Sequence, residues 1–226
     1  MSLTNVIIAI NVIAYVWLVS TGGLSSNRAL FDHGALLGIA CTEHGQWWRI
    51  VSGGFLHGGI AHIGLNMFAL FQVGNVVEQL YGKVRFALLY AIALIGAGLA
   101  VVYFAPNDVT VGASGAIFGL FGALVAAGLR MGRQGRALVG QVIPIIVINL
   151  IFTFTIPNIS AAGHVGGLIT GFLVGLLLYM MPRRRAYAYA VVPGGDGATE
   201  TIEQPPAAAP HEAEDAPPLE LRDPRE

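Results

Sequence analysis

The stretch that decides the fold reads AAGHVGGLITGFLVGLLLYMM and covers residues 161–181. It contains no Asp, Glu, Lys or Arg, and roughly 20 apolar residues in a helix are enough to cross the hydrocarbon core of a bilayer. Glycine recurs in it at every fourth position, at Gly163, Gly167, Gly171 and Gly175. Small residues at this spacing allow the backbones of two transmembrane helices to approach closely. We therefore predict a transmembrane helix that packs tightly against a neighbour.

Five further stretches are long and apolar enough to cross a membrane. They lie at about 3–20, 58–78, 84–105, 111–129 and 137–156. Only 11% of the residues are charged, against about 25% in soluble domains. The first stretch lacks the basic segment that opens a secretory signal, so we interpret it as an uncleaved helix. The predicted fold class is an all-α polytopic membrane protein with six transmembrane helices.

Basic residues indicate how the chain is oriented. Eight of the Lys and Arg residues follow the second, fourth and sixth spans, whereas only Arg28 and Arg49 lie in the long loop 21–57 between the first two spans. Because Lys and Arg favour the cytoplasmic side, both termini are predicted to be cytoplasmic and the long loop to face outward. No targeting extension is evident, which favours a bacterial plasma membrane.

The chain divides by composition into a membrane domain, 1–182, and an appendage, 183–226. The appendage begins with a basic junction and continues as a Pro-, Ala- and Glu-rich segment. It has too few large apolar side chains to offset the entropy of ordering, so we predict a disordered cytoplasmic tail. The single Cys41 excludes an intramolecular disulfide, and no Cys/His cluster has zinc-site spacing. We predict no metal, no other cofactor and no nucleic-acid partner.

Two polar residues stand near the starts of apolar spans. Ser114 lies in Gly112-Ala-Ser-Gly115 and His164 lies near the start of the sixth span. Polar groups inside a membrane are costly and often functional. Both follow outward turns by about six residues, which places them roughly 9 Å below the outer boundary. An imidazole can take the proton of a serine hydroxyl and so activate it as a nucleophile. We therefore predict a Ser114–His164 dyad without a carboxylate.

The second span offers groups that can stabilise a developing negative charge. His62 and Asn66 are four residues apart, so they share one face of a helix. Together with the backbone N–H of Ser114 at a helix start, their side chains could donate hydrogen bonds to an oxyanion. The alternative interpretation is that both residues only join helices through hydrogen bonds. The pattern leaves this choice open.

Hydrolysis inside a membrane also requires water. His57 and Arg49 belong to the outer side of the protein and could hold a hydrated cavity open. The stretch Trp47-Trp48-Arg49 equally resembles an interfacial anchor of the aromatic-belt type. Both interpretations of Arg49 remain possible from the sequence.

Four motifs in this order give the chain a family resemblance, which covers about residues 5–182. They are Trp48-Arg49, His62-x-x-x-Asn66, Gly112-Ala-Ser114-Gly115, and Gly163-His164-x-x-Gly167 with Gly171. Each motif is weak alone. In combination, with six spans and cytoplasmic termini, the chain resembles the rhomboid family of intramembrane serine proteases in its minimal six-span form.

The resemblance implies a role for each of these residues. Ser114 would be the nucleophile and His164 the base, while His62, Asn66 and backbone N–H groups around Ser114 would bind the oxyanion. Substrates would be single-span membrane proteins, cut near the outer end of the transmembrane segment. They would enter from the bilayer, past the fifth span and the loop 157–160.

The predicted function is therefore that of an intramembrane serine endopeptidase. One departure from the family is Phe118, which stands where some members have a tyrosine under the histidine; its ring can still stack on His164. The alternative is a non-catalytic rhomboid-like protein that binds transmembrane helices. A channel or transporter would spread polar groups through the membrane depth, whereas here they cluster in the outer half.

Overall fold

The computed structural model of the protein describes residues 1–157, 159–180, 188–193 and 199–204. The chain forms two compact units, Met1–Met181 and Pro182–Glu226. Within the described residues the first unit is helical. Its helices are α1 (Leu3–Ser20), α2 (Asn27–Asp32), α3 (Gly38–His44), α4 (Arg49–Gly53), α5 (Ile60–Tyr81), α6 (Lys83–Phe104), α7 (Ser114–Arg130), α8 (Gly132–Thr155) and α9 (Ala161–Met180).

The second unit contains a two-stranded antiparallel sheet. Strand β1 (Ala188–Pro193) pairs with β2 (Thr199–Gln204), with Ala188 opposite Gln204. The β-branched residues in both strands favour an extended conformation. The disorder predicted for the tail stays a prediction. The basic junction at 183–185 and the tail from 205 lie outside the described residues, as does residue 158 in the loop before α9.

Five of the six predicted spans are helices long and apolar enough to cross a membrane, namely α1, α5, α6, α9 and the Gly135–Thr155 part of α8. The predicted all-α membrane fold is confirmed. The fourth predicted span is the shorter helix α7, with 17 residues. It begins at Ser114 rather than near 111, because Gly112 has a φ of 125° and cannot belong to a right-handed helix. Most α7 residues are buried by other helices, so α7 forms the centre of the bundle.

The glycine stripe of α9 packs against α7, as the four-residue spacing predicts. A methyl group on Gly167 would overlap the backbone of Gly115, and one on Gly171 would overlap the backbone of Gly119. Closer to the C-terminal end of α9, a methyl group on Gly175 would lie 2.8 Å from Cα of Ala123. The two helices are therefore in backbone contact over most of their length. This contact fixes the ends of α7 and α9 that carry Ser114 and His164.

A carboxylate from α5 caps the start of α1. Glu78 is buried, and its two oxygens accept hydrogen bonds from the backbone N–H groups of Leu3 and Thr4, both at 2.9 Å. One oxygen also accepts from the Thr4 hydroxyl at 2.8 Å. The Ser2 hydroxyl accepts from the N–H of Asn5 at 3.2 Å. The N–H groups of the first helical turn, which have no partner within a helix, are thus satisfied here.

Candidate active site

Ser114 is the first residue of α7, and the segment before it is tied to the long first loop. Leu36 and Thr110 exchange backbone hydrogen bonds at 3.0 and 2.8 Å, and the Gly112 N–H donates to the carbonyl of Gly53 at 2.9 Å. The left-handed φ of Gly112 then turns the chain into the helix. The position of Ser114 is therefore set by backbone contacts of the residues just before it.

The N-terminal end of α7 has no side-chain cap. Ala113 occupies the N-cap position and offers no hydrogen-bonding side chain. The N–H groups of the first turn, starting with that of Ser114, have no acceptor within their own helix. They also carry the positive end of the helix dipole. This end of α7 can therefore donate hydrogen bonds to an anion that forms beside Ser114.

His164 lies in the first turn of α9 and is held on two sides. Its ring stacks on Phe118 of α7 with ring centroids 4.2 Å apart and an interplanar angle of 16°. Its Nδ1 lies 2.7 Å from the hydroxyl oxygen of Thr153 on α8. The side chain is 9% exposed, so the ring has little freedom to turn. Phe118 thus stacks on the histidine, as the sequence analysis expected.

Ser114 and His164 line one cavity. Its walls also include Gly112, Gly115 and Ser160, and its volume is about 30 Å³. A cavity of this size has room for a water molecule, and the side chains of Ser114 and His164 offer it hydrogen-bond partners. Apolar side chains, among them Leu36, Ile50 and Leu94, form much of the remaining wall. The structure therefore brings the predicted nucleophile and base to the walls of one small cavity.

His62 on α5 approaches Ser114 from the other side. The His62 Nδ1 accepts a long hydrogen bond, 3.4 Å, from the Gly58 N–H. A neutral imidazole that accepts at Nδ1 carries its hydrogen on Nε2. A methyl group on Gly112 would lie 2.8 Å from this Nε2 and 3.6 Å from Oγ of Ser114. His62 therefore presents an N–H next to the serine.

Asn66 is buried one turn further along α5. It shares the His62 face of the helix but is not among the residues that line the cavity. Its role in binding an oxyanion stays a prediction.

His57 lies outside the helices and supports His62. The two rings pack edge to face with centroids 5.1 Å apart. His57 is fully buried, and neither ring nitrogen makes a well-formed hydrogen bond with the described residues. Burial, together with the neighbouring His62, lowers the pKa of His57 to about 4, although the Phe55 backbone partly opposes this change. His57 is therefore neutral at physiological pH.

This pKa predicts how the stability of the protein depends on pH. The folded state holds His57 neutral down to about pH 4, whereas an unfolded histidine binds a proton below about pH 6.5. The unfolded state therefore binds more protons in this window, and the free energy of unfolding decreases as the pH falls from 6.5 towards 4. The slope due to His57 is at most about 1.4 kcal/mol per pH unit. Unfolding of wild type and His57→Gln, measured from pH 7.5 to 4.5, checks this. Parallel pH profiles of the two proteins would contradict it.

Arg49 lies away from the cavity and holds the first loop together. Its guanidinium donates to the carbonyls of Phe31 and Ala35 at 2.6 and 3.0 Å. It also stacks over the rings of Phe31 and Trp48, at 3.7 and 4.6 Å from their centroids. Arg49 is 5% exposed, and the residues that line the cavity do not include it. Its contacts are those of a structural residue within the loop.

Thr153 is the contact that the sequence analysis missed. Its only signal was a hydroxyl within an apolar span, and Thr155 gives the same signal two residues later. Thr in a helix usually bonds the carbonyl four residues back, and both threonines do so here, at 2.7 Å. Only the packing of α8 shows which of them faces His164.

Comparison with known proteins places this site in a family. Residues 44–181 match the family model described as the Rhomboid domain. The chain belongs to the rhomboid family. Among its relatives is the rhomboid protease GluP of Bacillus subtilis (strain 168), 39% identical over 176 residues that make up 77% of this chain and 34% of that protein. The chain therefore spans about a third of GluP.

The alignments of this chain with two other rhomboid relatives cover a larger share of those proteins than the alignment with GluP does. The putative rhomboid protease YdcA of Bacillus subtilis (strain 168) is 36% identical over 155 residues, 66% of this chain and 74% of YdcA. RHOMBOID-like protein 6, mitochondrial, of Arabidopsis thaliana is 33% identical over 161 residues, 70% of this chain and 52% of the plant protein. Family membership and the apolar helices together identify an integral membrane protein.

Proposed function

We propose that the protein is an intramembrane serine endopeptidase that cuts single-span membrane proteins near the outer end of their transmembrane segment. The observation that carries this proposal is the cavity inside the helix bundle, which both Ser114 and His164 line. The names of the bacterial relatives GluP and YdcA support the same class of reaction. Both termini are cytoplasmic in this proposal, and the site opens to the outer face of a bacterial plasma membrane.

The proposed reaction forms and then hydrolyses an acyl-enzyme. The Oγ of Ser114 bonds to the carbonyl carbon of the scissile peptide while Nε2 of His164 takes the hydroxyl proton. His164 returns this proton to the leaving nitrogen as the peptide C–N bond breaks. A water then bonds to the ester carbon while His164 accepts one of its protons, and His164 returns this proton to Oγ of Ser114 as the C–Oγ bond of the ester breaks. The cavity supplies space for a water beside both groups.

The negative charge of each tetrahedral intermediate needs donors that are already in place. The N–H groups at the start of α7 and the Nε2–H of His62 are the donors next to Ser114 that support this role. Asn66, from the same face of α5, is proposed as a further donor. Phe118 keeps the plane of His164 fixed while the proton moves.

The proposed substrates reach this site from the bilayer. Helix α8 packs on α7 and α9 and has no extensive contact with α5 among the described residues. Because His62 lies on α5 and Thr153 on α8, the space between these helices leads towards the catalytic groups. Helix α8 also has the smallest buried share of the five long apolar helices, so few contacts hold this side closed. A single transmembrane helix fits this route.

The test uses purified wild-type protein in liposomes, with a single-span substrate that has small residues at its outer end. We expect two products whose masses place the cut near that end, and covalent labelling of Ser114 by a fluorophosphonate. Ser160 lines the same cavity, so Ser160→Ala is the matched control and should still cleave and be labelled. A folded wild type that neither cleaves nor reacts would support a non-catalytic helix-binding protein instead. Labelling at Ser160 would contradict the assignment of the nucleophile.

Gly112→Ala is expected to lower kcat/KM by about 10²- to 10³-fold, the usual cost of losing one oxyanion donor. The added methyl group would lie 2.8 Å from Nε2 of His62 and would displace the ring. Its backbone would also be strained at a φ of 125°. Steady-state cleavage rates measure the effect. The matched control is Gly58→Ala, whose methyl group has room at 4.0 Å from Nδ1 of the same His62; equal rates for the two variants would contradict this role for His62.

A further inference from the structure

The hydrogen bond between Thr153 and His164 has no part in the chemistry proposed above. Thr153 lies near the end of α8 and is 3% exposed. Its Oγ1 is 2.7 Å from Nδ1 of His164 and 2.7 Å from the backbone carbonyl oxygen of Asn149. Thr153 therefore has two hydrogen-bond partners, one on its own helix and one in the candidate active site.

The two short distances from Oγ1 of Thr153 favour one placement of the hydrogens in this chain of groups. A threonine hydroxyl has one hydrogen, and a carbonyl oxygen can only accept. The Thr153 hydroxyl therefore donates to Asn149, and its oxygen accepts from the imidazole. His164 must then carry its hydrogen on Nδ1. The lone pair of the neutral ring is consequently on Nε2, the nitrogen that a general base would use towards Ser114.

We infer that Thr153 is a positioning residue that holds His164 in the tautomer required of the base. This inference rests on the proposed function. In soluble serine proteases a buried aspartate does the same for the histidine. A buried carboxylate is expensive to desolvate, whereas a hydroxyl bonded to a helix carbonyl orients the ring without adding a charge. Thr153 thus accounts for the absence of an acidic partner of His164 among the described residues.

The packing of α8, the helix that carries Thr153, affects the tautomer of His164. Helix α8 has the smallest buried share of the five long apolar helices. It is hydrogen-bonded to His164 through the hydroxyl of Thr153. If α8 moves away from α9, the imidazole loses its acceptor and the Nδ1–H tautomer is no longer favoured. The orientation of the base therefore depends on α8 being packed in place.

Three variants of the full-length protein test this inference. Thr153→Val keeps the shape of the side chain but removes the acceptor. We expect kcat to fall about 10- to 100-fold, the range seen when the hydrogen-bond partner of a metal-binding histidine is removed, with KM unchanged. Thr153→Ser retains the hydroxyl and should restore kcat to within about threefold of wild type. Thr155→Val is the matched control, because Thr155 also bonds a carbonyl of α8, at 2.7 Å from Ile151, but is exposed. It should behave as wild type.

A spectroscopic measurement tests the tautomer without any substrate. The ¹⁵N signals of the His164 ring, assigned by their loss in His164→Asn, should show a protonated Nδ1 in wild type and in Thr153→Ser. In Thr153→Val the ring should shift towards the Nε2–H form. A wild-type ring in the Nε2–H form, or a Thr153→Val variant with wild-type kcat, would overturn the inference. A wild type with the Nδ1–H ring that cleaves no substrate would overturn the proposed function instead.

Discussion

Replacing Ser114 by alanine is expected to lower kcat/KM for a single-span substrate by about 10⁴- to 10⁶-fold, as the loss of a serine nucleophile does elsewhere. The proposed reaction has no substitute for this oxygen. Ser160 lines the same cavity, but its hydroxyl lies at the start of α9, where it accepts a hydrogen bond from the Gly163 N–H at 3.2 Å. Any residual rate would come from the oxyanion donors alone.

The fold of Ser114→Ala should be unchanged, and this separates catalysis from stability. Ser114 opens a helix, where alanine has a high propensity, and the backbone contacts before it do not involve its side chain. Cleavage of the same substrate and thermal unfolding in the same detergent measure the two effects. If Ser114→Ala loses its thermal unfolding transition as well as its activity, the variant is not folded, and the lost activity does not identify a nucleophile. Retained cleavage would refute the assignment.

The second large effect is expected at the contact between α7 and α9. Gly171→Ala should destabilise the protein by about 3 kcal/mol, at the upper end of the cost of overpacking. The new methyl group would overlap the oxygen, carbonyl carbon and Cα of Gly119, all of which are backbone atoms. No side-chain rotation can relieve this overlap, so the two helices have to move apart. Alanine gains only about 1 kcal/mol of helix propensity over glycine, which does not offset the overlap.

Gly140→Ala is the matched control for Gly171→Ala. Gly140 lies within α8, and a methyl group there would have no atom within 4 Å. This variant should be as stable as wild type or slightly more stable, because only the propensity changes. Thermal unfolding and resistance to proteolysis in the same detergent compare the two. Equal stability of both variants would contradict the close backbone contact between α7 and α9.

Much of the fold follows from patterns that act locally. The lengths of the apolar stretches predict the long helices, because the bilayer sets the length that is needed. The four-residue glycine spacing predicts that α9 packs closely on another helix, since spacing fixes which residues share a face. The structure shows that this helix is α7. The start of α7 differs from the prediction because Gly112 has a left-handed φ and donates to the carbonyl of Gly53, a partner far away in the sequence.

The site was predictable where a residue type is itself informative. A serine and a histidine in apolar spans are rare enough to single out, and the structure places both at one cavity. The contact between Thr153 and His164 was not predictable, because Thr153 and Thr155 differ only in the face of α8 that they occupy. Arg49 was ambiguous because a basic residue beside tryptophans has the same pattern whether it faces lipid, water or its own loop. Only its contacts with Phe31 and Ala35 decide this.

The carboxylate of Glu78 at the start of α1 has a consequence for biogenesis. The acceptor for the N–H groups of Leu3 and Thr4 lies more than 70 residues later in the chain. When α1 leaves the ribosome and meets the membrane, that acceptor has not yet been synthesised. These N–H groups must therefore remain hydrated among the lipid headgroups until α5 has been inserted. The start of α1 thus gains its full set of hydrogen bonds only after α5 has joined it.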